Sequence, residues 1–226
     1  MMKIAAMAVL AAAGVANADV TFNDSVDDIF DLGFGHLDIR SVTLSNDATN
    51  LYASISVNGN ASATNWGKYL FMFDTNGAAS GRSDNPWGRN ISTNGRLNDV
   101  YVGSWVDQNP DSFAQIWRDN GAGWSLDFTV TNDRSLAAIG IIKYTFSLAD
   151  LGMSLGNTIY FDVMTTGGGD HYPGVDHLSN AGFATPGCGD ELAARREVVP
   201  ADRGDTSSAA LRYSPGTLVD DLGVAS

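Results

Sequence analysis

The clearest pattern in the chain is a strict alternation. Leu51, Ala53, Ile55 and Val57 are apolar, with Tyr52, Ser54 and Ser56 between them. A period of two puts one set on the core side of a β-strand and the other on the solvent side. His36 to Leu44 nearly alternates through Leu37, Ile39 and Val42 and predicts the preceding strand, with Ser45-Asn46-Asp47 turning the chain and Asn58-Gly59 ending the pair. Tyr69-Leu70-Phe71-Met72-Phe73 differs in being a continuous apolar run. Such a run predicts a central strand covered on both faces. Further strands are predicted over Asp99 to Val106, Phe113 to Arg118, Trp124 to Thr131, Ile141 to Ser147 and Thr158 to Thr165. Asn120-Gly121 suggests a hairpin, and Leu148 to Met153 suits one helical turn before a bend at Leu155-Gly156-Asn157. About eight strands separated by turn signals, with no strand-helix alternation, predict an all-β fold: an antiparallel β-sandwich, jelly-roll-like.

The two ends of the chain break this texture. Lys3 is followed by an apolar stretch, Ile4 to Val15, and then by Ala16-Asn17-Ala18. A charged start, a short apolar core and a small-x-small site predict a cleaved signal peptide over 1–18, of compact bacterial type, with Asp19 as the first mature residue. The run is shorter than the ~20 residues a membrane span needs. The protein is therefore expected to be secreted or periplasmic. Residues 19–186 are expected to form the β-sandwich domain. After Phe183 the composition changes; 187–226 has one aromatic residue, Tyr213, a basic pair at Arg195-Arg196, and only a weak strand candidate at Glu197-Val198-Val199. It is expected to be a poorly ordered tail.

Charge narrows the partners. The formal net charge is -13, whereas nucleic acid and anionic lipid call for a basic surface. Acidity of this kind serves solubility or calcium ligation by carboxylates. The single cysteine, Cys188, excludes an internal disulfide. No G-x-S-x-G elbow, H-E-x-x-H, P-loop or dinucleotide fingerprint occurs, so the chain is expected not to be an enzyme.

Several segments, in order, carry a resemblance: Asn23-Asp24, Asp27-Asp28, His36-Leu37-Asp38-Ile39, Trp66-Gly67-Lys68-Tyr69, Phe73-Asp74-Thr75, Asn85-Pro86-Trp87-Gly88, Gly103-Ser104-Trp105, Tyr144-Thr145-Phe146-Ser147-Leu148, Phe161-Asp162-Val163 and Val175-Asp176-His177-Leu178-Ser179. Over about residues 20 to 180 the chain resembles the β-sandwich domains related to family 9 carbohydrate-binding modules, which are also similar to DOMON-type sandwiches. The resemblance implies a glycan or polysaccharide partner. It also implies a structural calcium near the N-terminal acidic segment, here Asp24, Asp27, Asp28 and Asp38. Val26 stands before Asp27, where related sandwiches commonly carry a glycine.

The residues offer their own candidates. Sugars stack their C–H faces on aromatic rings while polar side chains bond their hydroxyls. Trp87 lies in a polar loop with Asn85 and Arg89 on either side, and Trp66 sits between Asn65 and Gly67 at the start of a strand. Trp105, Trp117 and Trp124 fall in strands, where packing in the core or on a sheet face is the expectation. Asp24, Asp27, Asp28 and Asp31 would converge on a cation only if their segment loops back; a solvated acidic loop is the alternative. Asp74-Thr75-Asn76-Gly77 resembles the start of a calcium loop but lacks the closing glutamate, and turn chemistry explains it equally. His171 and His177 flank Asp176, a possible zinc or iron set at a spacing that matches no motif. Three readings follow: a non-catalytic carbohydrate-binding sandwich with calcium, a structural or surface-associated exported protein without glycan affinity, and an exported metal- or haem-binding sandwich.

Overall fold

The computed structural model describes residues 19–29, 32–63, 66–76, 80–91, 97–105, 113–154, 157–168, 174–178, 209–214 and 217–220. The predicted signal segment, Asp31, Gly77, Val106, His171, Cys188, Arg195-Arg196 and Glu197-Val198-Val199 lie outside these residues.

The strands are β1 (Val20–Asn23), β2 (Ile39–Asn46), β3 (Asn50–Val57), β4 (Lys68–Asp74), β5 (Val100–Trp105), β6 (Phe113–Asp119), β7 (Trp124–Thr131), β8 (Ile141–Ser147), β9 (Thr158–Thr166), β10 (Gly174–His177), β11 (Ala209–Ser214) and β12 (Thr217–Asp220). They build two antiparallel sheets. The small one has the order β1-β2-β3-β8, and the large one runs β12-β11-β9-β4-β5-β6-β7, with β10 also on β9. The architecture is the predicted all-β sandwich. Among the described residues no helix is long and apolar enough to cross a membrane.

The period-two pattern sets the packing. Leu51, Ala53, Ile55 and Val57 are all buried and face the large sheet, whose inner residues include Phe71, Phe73, Val102, Ile116 and Val163. Phe71 meets Tyr144 and Phe146 edge-on, with ring centres 5.0 and 5.4 Å apart. β4 is buried along its whole length, as its continuous apolar run predicts. It lies between β5 and β9, and its outward Leu70 and Met72 are roofed by Ile91 and Tyr101 in a second apolar cluster.

Two boundaries depart from the sequence pattern. The strand predicted from His36 begins instead at Ile39, because Leu32–Leu37 closes as 3-10 turns. Gly35 and Gly59 pack backbone to backbone there: a Cβ on Gly59 would fall 2.7 Å from Gly35 C. β11 and β12 lie in the segment predicted to be a low-order tail. The open edge of β9 explains this departure. β9 pairs along one side with β4, and its other side is shared between β10 at Met164–Thr166 and β11 at Thr158–Phe161. An edge with unpaired N–H and C=O groups can recruit a strand whose own composition does not announce it.

Candidate functional site

The outer face of β5–β7 is built by register. Val100, Val102, Ala114 and Ile116 point into the core, so their alternates Tyr101, Gly103, Gln115 and Trp117 point away from it. Tyr101 pairs with Trp117, which pairs with Leu126, and Gly103 pairs with Gln115, which pairs with Thr129. Trp124 shares the face of Leu126 two residues on, and its indole N–H donates to Asp84 Oδ1 at 2.9 Å. Trp105 meets Phe113 with ring centres 5.2 Å apart. Phe113 and Leu126 are 41% and 46% exposed, while the tryptophans are half-buried.

Trp87 lies flat on this face, and Gly103 is the reason. A Cβ at Gly103 would fall 2.3, 2.5 and 2.6 Å from Cζ2, Cη2 and Cε2 of Trp87. Three adjacent ring atoms at nearly equal distance mean that the ring is stacked over the glycine, and the side chain as a whole stays half-buried. Trp105 flanks it with ring centres 4.5 Å apart, and Tyr101 at 5.7 Å. Its indole N–H donates to Gln115 Oε1 at 3.0 Å, and Trp117 donates to the same oxygen at 3.1 Å. Four of the five tryptophans thus share one sheet face.

The other residues predicted to touch a sugar have different work. Asn85 accepts the Arg89 backbone N–H at 2.9 Å and donates to the Arg89 carbonyl at 2.7 Å, closing the loop that carries Trp87. Arg89 is buried, donates to the Gly167 carbonyl at 3.1 Å, and sits 5.7 Å from the Trp87 ring centre, within cation–π range. Both therefore position Trp87: the Asn85 amide closes the loop through both of its polar atoms, and Arg89 Nη1 is held by the Gly167 carbonyl. Trp66 packs instead against Phe34 and His36, with ring centres 5.2 and 5.1 Å apart. Asp84 is held below the usual carboxylate range by its bond to Arg82, with Trp124 assisting.

No family model matches the chain, and no match was found among curated proteins or solved structures. The functional reading rests on the residues themselves.

A second cluster is acidic. Asp28, Asp38 and Asp176 each bring a carboxylate oxygen within 4.8 Å of the others. Asp38 is 1% exposed; its Oδ2 accepts from Asp27 N–H at 2.9 Å and Asn58 Nδ2 at 3.0 Å, while its Oδ1 is buried with no hydrogen-bond partner. Asp176 accepts the Ile39 N–H at 2.5 Å and the His177 N–H at 2.8 Å. Burial, then the Asp24 and Asp28 charges, raise its pKa well above the usual range against those two bonds. Asp27 does not join this trio: its side chain accepts from Asn58 at 3.1 Å, and its backbone is left-handed, with φ of 64°. Asp24 contributes through its charge on Asp176.

Sequence reasoning missed Gly103, Gln115 and Asp176 as members of these two sites. Period-two counting within β5 and β6 flags Gly103 and Gln115 as partners of Trp105 and Trp117. Nothing local connects Asp176 with the acidic opening. His177, in β10, is buried with Nδ1 3.5 Å from Asp162 Oδ2, so it stands apart from the carboxylate trio.

Proposed function

We propose that this protein is an exported, non-catalytic carbohydrate-binding β-sandwich. The supporting observation is Trp87 stacked on Gly103 within a row of half-buried aromatic residues on the outer face of β5–β7. A row of partly exposed rings on one face, with Phe113 41% exposed, supports a binding surface there. Flat rings next to an amide and a hydroxyl, from Gln115 and Thr129, suit the mixed apolar and polar faces of a pyranose.

Calcium belongs to this reading as a structural aid. Asp28, Asp38 and Asp176 would hold it, with Asp24 adding negative charge. A hard cation takes six to eight oxygens at about 2.3–2.6 Å, so oxygens on opposite sides of one ion stand about as far apart as the trio does. The buried, unpartnered Oδ1 of Asp38 supports the same assignment. Bound there, the ion would neutralise carboxylates that burial otherwise penalises.

The test is a polysaccharide pull-down on the chain from Asp19 onward, in calcium and in chelator, with Trp87→Ala in parallel. Retention of one glycan class by the wild type and its loss in Trp87→Ala is the expected result. A folded wild type that retains no glycan in either condition overturns the reading.

A further inference from the structure

We propose that Gln115 selects the saccharide by presenting a fixed N–H donor, between two indole rings, to the acetamido carbonyl of an N-acetylated sugar. This rests on the outer face of β5–β7 being a glycan platform. A glutamine amide normally serves as donor or acceptor by rotating half a turn. Here rotation is blocked. Oε1 accepts the indole N–H of Trp87 at 3.0 Å and of Trp117 at 3.1 Å, and a flipped amide would set its NH2 against two donors and forfeit both bonds. Nε2 must therefore point away from the rings. Among the described residues it makes no hydrogen bond, and Gln115 is half-buried, which leaves the donor open to a ligand.

The surroundings reinforce one polarity. The Trp105 ring flanks Trp87, and its indole N–H has no acceptor among the described residues. Asp84, a carboxylate of the same face, is already taken by Arg82 and Trp124. A ligand ring lying on Trp87 beside Gln115 thus meets the Gln115 and Trp105 donors, with the Asp84 charge offset by Arg82. The complement is an acceptor oxygen. A carboxylate or sulfate would supply one, but a chain of net charge -13 repels anionic polymers. The acetamido carbonyl is the strong uncharged acceptor that saccharides carry, and its methyl group suits the adjoining aromatic surface.

The experiment measures binding of chitohexaose and cellohexaose, which share linkage and length and differ in the N-acetyl group, by titration calorimetry. The wild type is expected to bind chitohexaose at least tenfold more tightly. Gln115→Glu keeps an oxygen to accept both indole N–H bonds and replaces the outward donor with a second acceptor. That variant should lose at least tenfold in chitohexaose affinity while its tryptophan fluorescence and near-UV dichroism stay those of the wild type. Cellohexaose bound as tightly as chitohexaose by the wild type overturns the proposal and leaves the platform standing; this comparison needs no variant. Unchanged chitohexaose affinity in a folded Gln115→Glu also overturns it. Binding of neither saccharide, nor of any glycan in the pull-down, removes the platform reading as well.

Discussion

The two outer faces of the sandwich are made by the same alternation and end in opposite states. On the small sheet the outward positions include Thr43, Ser45, Tyr52, Ser54, Lys143 and Thr145, with Thr21 and Thr43 joined hydroxyl to hydroxyl at 2.9 Å. On the large sheet they are Trp105, Phe113, Trp117 and Leu126, with Trp87 added from a loop. A sheet face covered mainly by hydroxyl-bearing and charged side chains is at ease in water, as the small sheet shows with Tyr52 as its one ring among the described residues. The aromatic face is more than the fold requires, and that excess is the argument for a ligand.

The sharpest way to break the contrast is Gly103→Val. Its branched side chain would occupy the place of the Trp87 ring, and overpacking of this kind costs about 1–3 kcal/mol. Glycan affinity is expected to fall by two orders of magnitude or to vanish, with a red-shifted tryptophan emission. Undiminished affinity would show that Trp87 need not lie flat. Next in size is calcium, which favours neither face. A ligand at a hundred times its dissociation constant adds about 2.7 kcal/mol, or roughly 5–10 °C in a chain of this length. Calorimetry should show that increment in the wild type on adding calcium after chelation, and none in Asp38→Asn or Asp176→Asn. An equal shift in both variants would place the ion elsewhere.

Asp99 offers a smaller effect at the base of the covering loop, where it accepts the Thr75 N–H at 2.9 Å and Asn76 Nδ2 at 2.7 Å. Burial, with the nearby Asp74 charge adding to it, raises its pKa. The folded state therefore holds this proton more tightly than the unfolded state does. Stability falls as pH rises from the ordinary value of about 3.9 to the raised folded value, and is level above it. Asp99→Asn should remove that part of the fall in urea midpoints measured between pH 3.5 and 7; identical profiles would contradict it. The smallest effects belong to the hydroxyl face. Thr43→Ala and Ser54→Ala should each stay within about 0.5 kcal/mol and leave glycan affinity untouched, and a clear loss of affinity in either would move the binding surface to the small sheet.

Periodicity was enough to locate β2 to β9, because each carries either an alternating or a continuous apolar pattern. β1, β10 and β11 are set by neighbours instead. Val20–Asn23 is a short edge strand on β2, and Gly174–His177 and Ala209–Ser214 divide one edge of β9. The site divides in the same way. Trp87 stands out locally as a ring in a polar loop, yet its stacking depends on a missing side chain at Gly103, which only the fold brings beneath it. Asn85 and Arg89 have the composition of sugar ligands, but the Asn85 amide closes its own loop and the Arg89 guanidinium is buried with Nη1 on the Gly167 carbonyl. Two of the three clustered carboxylates, Asp28 and Asp38, stand in the acidic opening of the sequence. The remaining one is brought in by β10.

That long connection sets an order in time. The Ile39 amide and the Asp176 carboxylate that accepts it are separated by 137 residues. A chain is made from its N-terminus at about 5–20 residues per second, so the acidic opening waits on the order of ten seconds for its last carboxylate. Until then Asp28 and Asp38 lack the group that completes their cluster. The site is thus finished only when nearly the whole sandwich exists to carry it.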